Sequence, residues 1–229
     1  MLFSLIHVGD ISFQGNVSDF EEFNKLMGRV PLDKAHKLVV LGNHDERKIG
    51  ESAIKSILTE CTLLLDEEVT VDGLRIYGTR WTNPDYTKIP AGLDVLVTHG
   101  APYGLFDFPF FGQRMGDQEL LRNIARAPPH LHLFGHNHDE EGYCAVRYKG
   151  SDHWTLEANV NIIFGNCHSR SRVNPFKVYY CRRNREGEGE KKTEKKEGEF
   201  YPPYSPYLTN RYDMETGILK SKYYEVISN

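Results

Sequence analysis

Polar side chains that can bind metal ions or move protons follow apolar runs at four places in this 229-residue sequence. Each run has the length and continuity of a strand that is buried on both faces. Ligands of α/β proteins bind beyond the carboxyl ends of such strands, so the side chains that follow the runs are predicted to form one site. In chain order they are Asp10, Asn43, His44, His99, His136 and His138.

The residue types indicate which chemistry this site would perform. Carboxylate, amide oxygen and imidazole ligands suit borderline divalent metals such as Mn²⁺, Fe²⁺, Zn²⁺, Co²⁺ or Ni²⁺ better than they suit Ca²⁺. Asp10 is the single carboxylate of the set, and a carboxylate can offer one oxygen to each of two cations about 3.5–4 Å apart. Such cations lower the pKa of a water and direct it at phosphorus. The pattern therefore favours metal-dependent hydrolysis of a phosphate ester.

Each segment also has an ordinary interpretation. Asn43 and His44 after a glycine are typical of a turn, and Asp10 could cap the helix that follows it. His136 and His138 stand two residues apart, which is also common for a pair of surface histidines. The recurrence of one pattern at four strand ends favours the metal site over these alternatives.

The elements that must position these residues can be read from the spacing of apolar positions. The first sixty residues predict strand, helix, strand and helix, an order typical of a sheet with crossover helices. The first helix is predicted to begin with a capping box of Ser18 and Glu21 and to stop at Pro31, and the second to run from Glu51 to Glu60. Asp72-Gly73 joins two alternating runs and predicts a β-hairpin.

The second half repeats the strand pattern. Strands are predicted at 93–97 and 130–134, with a helix at 117–126 between them. Shorter strands are predicted around 143–146, 154–157, 162–164 and 176–180.

The chain is predicted to comprise a domain, a linker and a tail. Residues 1–182 are expected to form the folded domain. Residues 183–200 are almost wholly charged and glycine-rich, which predicts a flexible linker. Residues 201–229 are rich in tyrosine and proline and are expected to form an extended tail, with room for one strand and for a protein partner.

Composition limits the partners and the compartment. A net charge of −4 and a pI of about 6.2 argue against a stable nucleic-acid partner, although a nucleotide could still be a substrate. No run approaches the roughly 18 apolar residues of a membrane span. The four cysteines form no Cys-x-x-Cys pair, so neither a disulfide framework nor a zinc knuckle is expected, and a cytoplasmic location is predicted.

The order of the blocks resembles that of a known superfamily. Gly9-Asp10, Gly42-Asn43-His44-Asp45, Thr98-His99-Gly100 and Gly135-His136-Asn137-His138 resemble successive blocks of the metallophosphoesterase, or calcineurin-like phosphoesterase, superfamily. Residues 69–78 and 98–104 are similar to the branch called metallophosphoesterase-domain-containing proteins. The resemblance covers about residues 2–180 and implies an α/β fold of two mixed β-sheets packed as a sandwich and flanked by helices.

The resemblance also implies a role for each residue. Asp10 would bridge two metal ions, with Asn43, His99 and His136 completing one metal site and His138 serving the other. His44 would lie beside the substrate phosphate as a general acid or charge stabiliser.

One block of the family is not found in this sequence. The family opens with a strand that carries Asp-x-His, and no such block precedes Asp10. We therefore expect the first strand of the fold to be missing, either because the sequence is a fragment or because a natural variant binds one metal or none.

Two functions follow from these expectations. The first is a metal-dependent phosphoesterase that hydrolyses a phosphodiester or phosphomonoester by in-line attack of a metal-activated hydroxide, with the resemblance favouring diesters such as cyclic nucleotides. The alternative is a catalytically impaired or inactive protein that keeps the fold as a binding or scaffold module.

Overall fold

The structure is a computed structural model that describes residues 4–107, 114–138 and 142–160 and the backbone of Tyr224–Val226. All of these residues belong to one compact unit. The predicted linker, most of the predicted tail and the strands predicted near residues 162–164 and 176–180 lie outside the described residues.

The described residues form three α-helices and ten strands. The helices are α1 (Val17–Arg29), α2 (Glu51–Ile57) and α3 (Gln118–Arg126). The strands are β1 (Leu5–His7), β2 (Lys37–Val39), β3 (Thr62–Leu63), β4 (Glu67–Val71), β5 (Leu74–Gly78), β6 (Val95–Val97), β7 (Leu131–Phe134), β8 (Gly142–Tyr148), β9 (Thr155–Asn159) and β10 (Tyr224–Val226). No helix in these ranges has both the length and the apolar character needed to cross a membrane.

The strands form two sheets. The smaller has the order β1-β2-β3 and is parallel, because α1 and α2 provide the crossovers between its strands. The larger has the order β10-β8-β9-β7-β6-β5-β4 and is mixed, with β4 antiparallel to β5 and β8 antiparallel to β9. The predicted α/β class with two sheets is confirmed, and mixed pairing within the described residues is confined to the larger sheet.

Helices cover the outer faces of the two sheets. Phe20 of α1 and Ile54 of α2 are fully buried in one core cluster with Val39 of the smaller sheet. Leu120 of α3 is fully buried in another cluster with Leu96 of the larger sheet. Successive strand residues point to opposite faces, so the neighbours of Leu96 in β6 point away from α3.

The inner faces of the sheets meet around Gly78. A Cβ atom added at Gly78 of β5 would lie within 2.9 Å of Val40, which follows β2, and would overlap Leu64, which follows β3. The two sheets are therefore packed together with helices outside, as predicted. The parallel strands β1 and β2 of the smaller sheet and β6 and β7 of the larger sheet each lead into a loop that contains predicted site residues.

The start of α1 differs from the prediction. The helix begins at Val17 after Asn16, and no side chain caps its first turn, so the Ser18 and Glu21 capping box is wrong. The carboxylate of Asp19 instead accepts hydrogen bonds from Ser12 and Asn16 in the preceding loop. The helix ends at Arg29, two residues before Pro31, in agreement with the predicted stop.

The end of α2 is set by contacts between α1 and the segment that follows α2. The predicted helix extended to Glu60, whereas α2 ends at Ile57. The backbone N–H of Glu60 donates to Asn24 Oδ1 of α1, and the Asn24 side chain donates to Thr59. These tertiary contacts hold the chain outside a helical path.

The predicted hairpin is confirmed. Val71 pairs with Leu74 across an antiparallel ladder, and the two turn residues have positive φ values, 50° at Asp72 and 79° at Gly73. Positive φ at both central positions is the type I′ turn that joins strands with the natural twist.

We expect Gly73→Ala to lower the free energy of unfolding by about 1 kcal/mol, because an alanine is strained at this positive φ. Gly28→Ala is the matched control: Gly28 lies in α1, and an added Cβ would make only ordinary contact, at 3.5 Å from the Glu60 side chain. It should raise stability by about 0.5 kcal/mol. Urea unfolding of both variants measures the difference, and equal effects would contradict the assigned turn.

Candidate metal centre

The structure brings four of the predicted residues together. Asn43 Oδ1 lies 3.0 Å from His99 Nε2 and 2.9 Å from His136 Nδ1. His99 Nε2 lies 3.2 Å from His136 Nδ1 and 3.4 Å from Asp10 Oδ2. One ligand atom from each of Asp10, His99 and His136 lies within 4.8 Å of the other two. The group of Asp10, Asn43, His99 and His136 is called the metal centre below.

The orientation of His99 suits a metal ligand. Its Nδ1 lies 2.7 Å from the carbonyl oxygen of Val8, to which it must donate, so Nε2 is the ring nitrogen that faces the centre. Nε2 lies near Asn43 Oδ1 and Asp10 Oδ2, which are both acceptors. A cation bound in place of a proton on Nε2 would satisfy all three atoms, and the residues present therefore fit a divalent metal.

Two glycines allow the loops to approach so closely. A Cβ at Gly42 would overlap Asp10 Oδ1 and lie 2.7 Å from His99 Cε1. A Cβ at Gly9 would lie 2.5 Å from His99 Nδ1. Side chains at these two positions would fill the space in which the ligand atoms converge.

Two of the candidate ligands have strained backbones. Asp10 has φ 58° and His136 has φ 65°, in the left-handed region that few non-glycine residues adopt. Such residues cluster at functional sites, where the surrounding structure compensates for the strain. The required compensation comes from hydrogen bonds to the same loops.

The buried carboxylate of Asp45 supplies much of that compensation. Its Oδ2 accepts the backbone N–H groups of Asp10 (2.9 Å) and Gly42 (2.8 Å), and its Oδ1 accepts that of Ser12 (2.9 Å). Burial raises the pKa of Asp45 to about 6, although the hydrogen bonds from Gly42 and Ser12 act to lower it. The sequence reasoning gave Asp45 no role; its place three residues after Gly42 was the available signal.

The charges of the ligands are set by their surroundings. Burial acts to raise the pKa of Asp10, but its hydrogen bonds and charge interactions with His99 and His44 together outweigh burial and hold that pKa below its ordinary value. Burial, followed by the nearby His99, lowers the pKa of His136 to about 4. At neutral pH the centre thus contains an ionised carboxylate and an unprotonated His136.

His44 lies at the rim of the centre. Its backbone N–H donates to Asp10 Oδ1 at 3.0 Å. Its ring Nδ1 donates to the carbonyl oxygen of Phe13 at 2.7 Å, and its Nε2 accepts from Arg47 at 3.3 Å. The ring also stacks on Phe13, with centroids 5.1 Å apart and an interplanar angle of 28°.

His138 stands apart from the other predicted ligands. Its side chain is exposed, and it is not part of the ligand group formed by the described residues. It is near enough for its charge to help lower the pKa of His136. Its role in a second metal site stays a prediction.

Trp81, to which the sequence analysis assigned no role, lies against two of the candidate ligands. The Trp81 ring lies 5.1 Å from the rings of both His99 and His136, edge-on to the first and tilted to the second. The ring therefore packs against both imidazoles. No signal in the sequence distinguished it from a packing residue.

Comparison with known sequences decides the family. The sequence model of calcineurin-like phosphoesterases matches residues 4–169. The chain belongs to the calcineurin-like phosphoesterase family. Human and mouse proteins, each named metallophosphoesterase domain-containing protein 1, are 34% identical to it over 183 residues, covering 62% of this chain and 56% of each relative. The chain therefore spans a little over half the length of these relatives.

A solved structure is also similar. It is described as that of a novel archaeal phosphodiesterase, with 17% sequence identity, a TM-score of 0.37, and coverage of 70% of this chain and 67% of that one. The family assignment depends on the sequence model and not on this likeness.

Behind the metal centre, this member of the calcineurin-like family has a buried polar network. Thr98 Oγ1 donates to Gly100 O at 2.7 Å, and His132 Nε2 lies 2.9 Å from the same hydroxyl. Glu157 Oε2 lies 2.7 Å from His132 Nδ1, and its Oε1 accepts from the Tyr148 hydroxyl at 2.6 Å. The network fixes the residues on both sides of His99, and His132 is part of this buried support.

We expect Asp45→Asn to lower the free energy of unfolding by about 1–3 kcal/mol, because an amide has one acceptor oxygen and cannot satisfy N–H groups that face both carboxylate oxygens. Asp85→Asn is the control, since one oxygen of this partly exposed residue accepts both bonds from Thr87. Its effect should stay within about 0.5 kcal/mol. Similar losses in urea unfolding would show that Asp45 has no special role.

We also expect Tyr148→Phe to cost about 1–3 kcal/mol, because Glu157 would lose a buried donor. Tyr77→Phe is the matched control: among the described residues the buried Tyr77 hydroxyl has no hydrogen-bond partner. Removing that hydroxyl should be neutral or stabilising. Thermal unfolding of the two variants gives the comparison, and an equal loss of stability would argue against the network.

Proposed function

We propose that this protein is a metal-dependent phosphoesterase that hydrolyses a phosphodiester or phosphomonoester. The observation that supports the proposal most directly is the convergence of the Asp10, Asn43, His99 and His136 ligand atoms at strand ends of both sheets. Membership of the calcineurin-like phosphoesterase family supports the same reaction class. Diesters are the favoured substrates, in line with the resemblance of the motifs.

The metal centre would hold the cation through Asp10, Asn43, His99 and His136. Mixed oxygen and nitrogen ligands suit Mn²⁺, Fe²⁺, Zn²⁺, Co²⁺ or Ni²⁺. When bound, such a cation lowers the pKa of a water and neutralises negative charge on a phosphoryl oxygen.

The residues of the chain prepare the centre for that chemistry. The Val8 carbonyl fixes the His99 ring so that Nε2 points inward. The backbone N–H of His44 donates to Asp10 Oδ1, the carboxylate oxygen that does not face His99. The His44 ring is proposed to lie beside the substrate phosphate, where it would act as a general acid or stabilise charge.

A second candidate function is a binding or scaffold module with weak or no turnover. It is favoured by the exposed position of His138, which leaves ligands for one cation among the described residues. Elemental analysis combined with turnover separates the candidates, since one ion without hydrolysis supports the module. The cytoplasmic location and a protein partner for the tail remain predictions.

We expect the Mn²⁺-loaded protein to hydrolyse bis-p-nitrophenyl phosphate, and Asn43→Ala to lower both the metal content and the rate by about 10- to 100-fold, because one ligand is lost. His36→Ala is the control, since its ring pairs with Asp72 on the surface. Colorimetric turnover and elemental analysis provide the measurements. Absence of hydrolysis by the wild-type protein, or an unchanged Asn43→Ala variant, would refute the proposal.

A further inference from the structure

Arg47 is an exposed cation beside the metal centre. Its guanidinium donates to His44 Nε2 at 3.3 Å and to the Phe13 carbonyl at 3.4 Å. In the described part of the chain no carboxylate forms an ion pair with it, whereas Arg75 and Arg80 each pair with acidic residues. Two long bonds to neutral acceptors leave the guanidinium available for an anion.

The position of Arg47 suggests which anion it would meet. It contacts the ring of His44, the residue that follows the ligand Asn43 and whose backbone N–H donates to the ligand Asp10. The guanidinium is thus separated from the metal centre by one imidazole ring. Guanidinium groups bind phosphate oxygens through paired, directed N–H groups.

Phe13 adds an apolar surface at the same rim. Its side chain is 74% exposed, and one face stacks on the His44 ring. The loop that carries it is well fixed, because Ser12 Oγ accepts the backbone N–H groups of Gly15 at 2.8 Å and Asn16 at 3.1 Å. An exposed ring on a fixed loop is suited to stack against a planar aromatic group.

We infer that Arg47 and Phe13 form a substrate subsite that selects phosphate esters that carry a planar aromatic group, such as aryl or nucleoside esters. Arg47 binds a non-bridging phosphoryl oxygen, and Phe13 stacks on the aromatic group of the same ester. This inference depends on the proposed phosphoesterase function. It assigns substrate recognition to two side chains that are not in the metal centre.

The anion half of the subsite is tested with inorganic phosphate. Calorimetric titration of Mn²⁺-loaded protein should show that Arg47→Gln weakens phosphate binding about tenfold or more, whereas Arg47→Lys retains part of the affinity. Lys48→Gln is the control of equal charge, because Lys48 is the next residue and its Nζ bonds to Asn16. It should bind phosphate as the wild type does.

The aromatic half is tested with bis-p-nitrophenyl phosphate. Phe13→Ala should raise KM about five- to tenfold through lost stacking, while its affinity for inorganic phosphate stays unchanged. Leu26→Ala, which removes an exposed apolar side chain on α1, should alter neither value. Elemental analysis should show equal metal content in all variants.

The results of these experiments distinguish a failure of the subsite from a failure of the proposed phosphoesterase function. If wild-type protein hydrolyses the diester but Arg47→Gln binds phosphate normally, or Phe13→Ala keeps its KM, the subsite is wrong and the phosphoesterase stands. Changes in these variants that accompany a loss of metal would also overturn the subsite. A wild-type protein that neither binds phosphate nor hydrolyses the diester would overturn both.

Discussion

The carboxylate of Asp45 connects the two loops on which the metal centre depends. It lies beyond β2 and accepts N–H groups from Asp10 and Ser12 beyond β1, as well as from Gly42 in its own loop. Its burial is unfavourable for an ionised group and raises the pKa to about 6. The three hydrogen bonds offset that cost and leave Asp10 in a strained backbone conformation that directs its side chain towards the other ligands.

A second constraint joins the two sheets. His99 follows β6 of the larger sheet, yet its Nδ1 donates to Val8, which follows β1 of the smaller sheet. This bond orients the ring so that Nε2 faces the centre, and it links the ends of the two sheets. The absence of side chains at Gly9 and Gly42 is required for the same approach. The geometry of the candidate ligands therefore depends on how the two sheets pack together.

The surroundings of the centre differ from one side to another. Trp81 covers the two histidine ligands, and the network from Thr98 to Tyr148 supports them from the core. On the side of His44 the structure presents Phe13 and Arg47, which are exposed and have few partners. Support from the core on one side and an exposed aromatic and cationic rim on another would suit the binding of a phosphate ester that we propose.

The sequence by itself determined most of the described strands, the hairpin and four residues that converge. Apolar runs that end in glycine and a polar residue placed Asp10, Asn43, His99 and His136 at strand ends, and Asp72-Gly73 defined its turn, because these signals are local. Only the tertiary structure decided the start of α1, the role of Asp45 and the positions of Trp81, Phe13 and Arg47. Those outcomes depend on contacts between residues distant in sequence, such as Asp45 with Asp10 or Trp81 with His136, and the strand-end pattern that marked the four converging residues does not mark these.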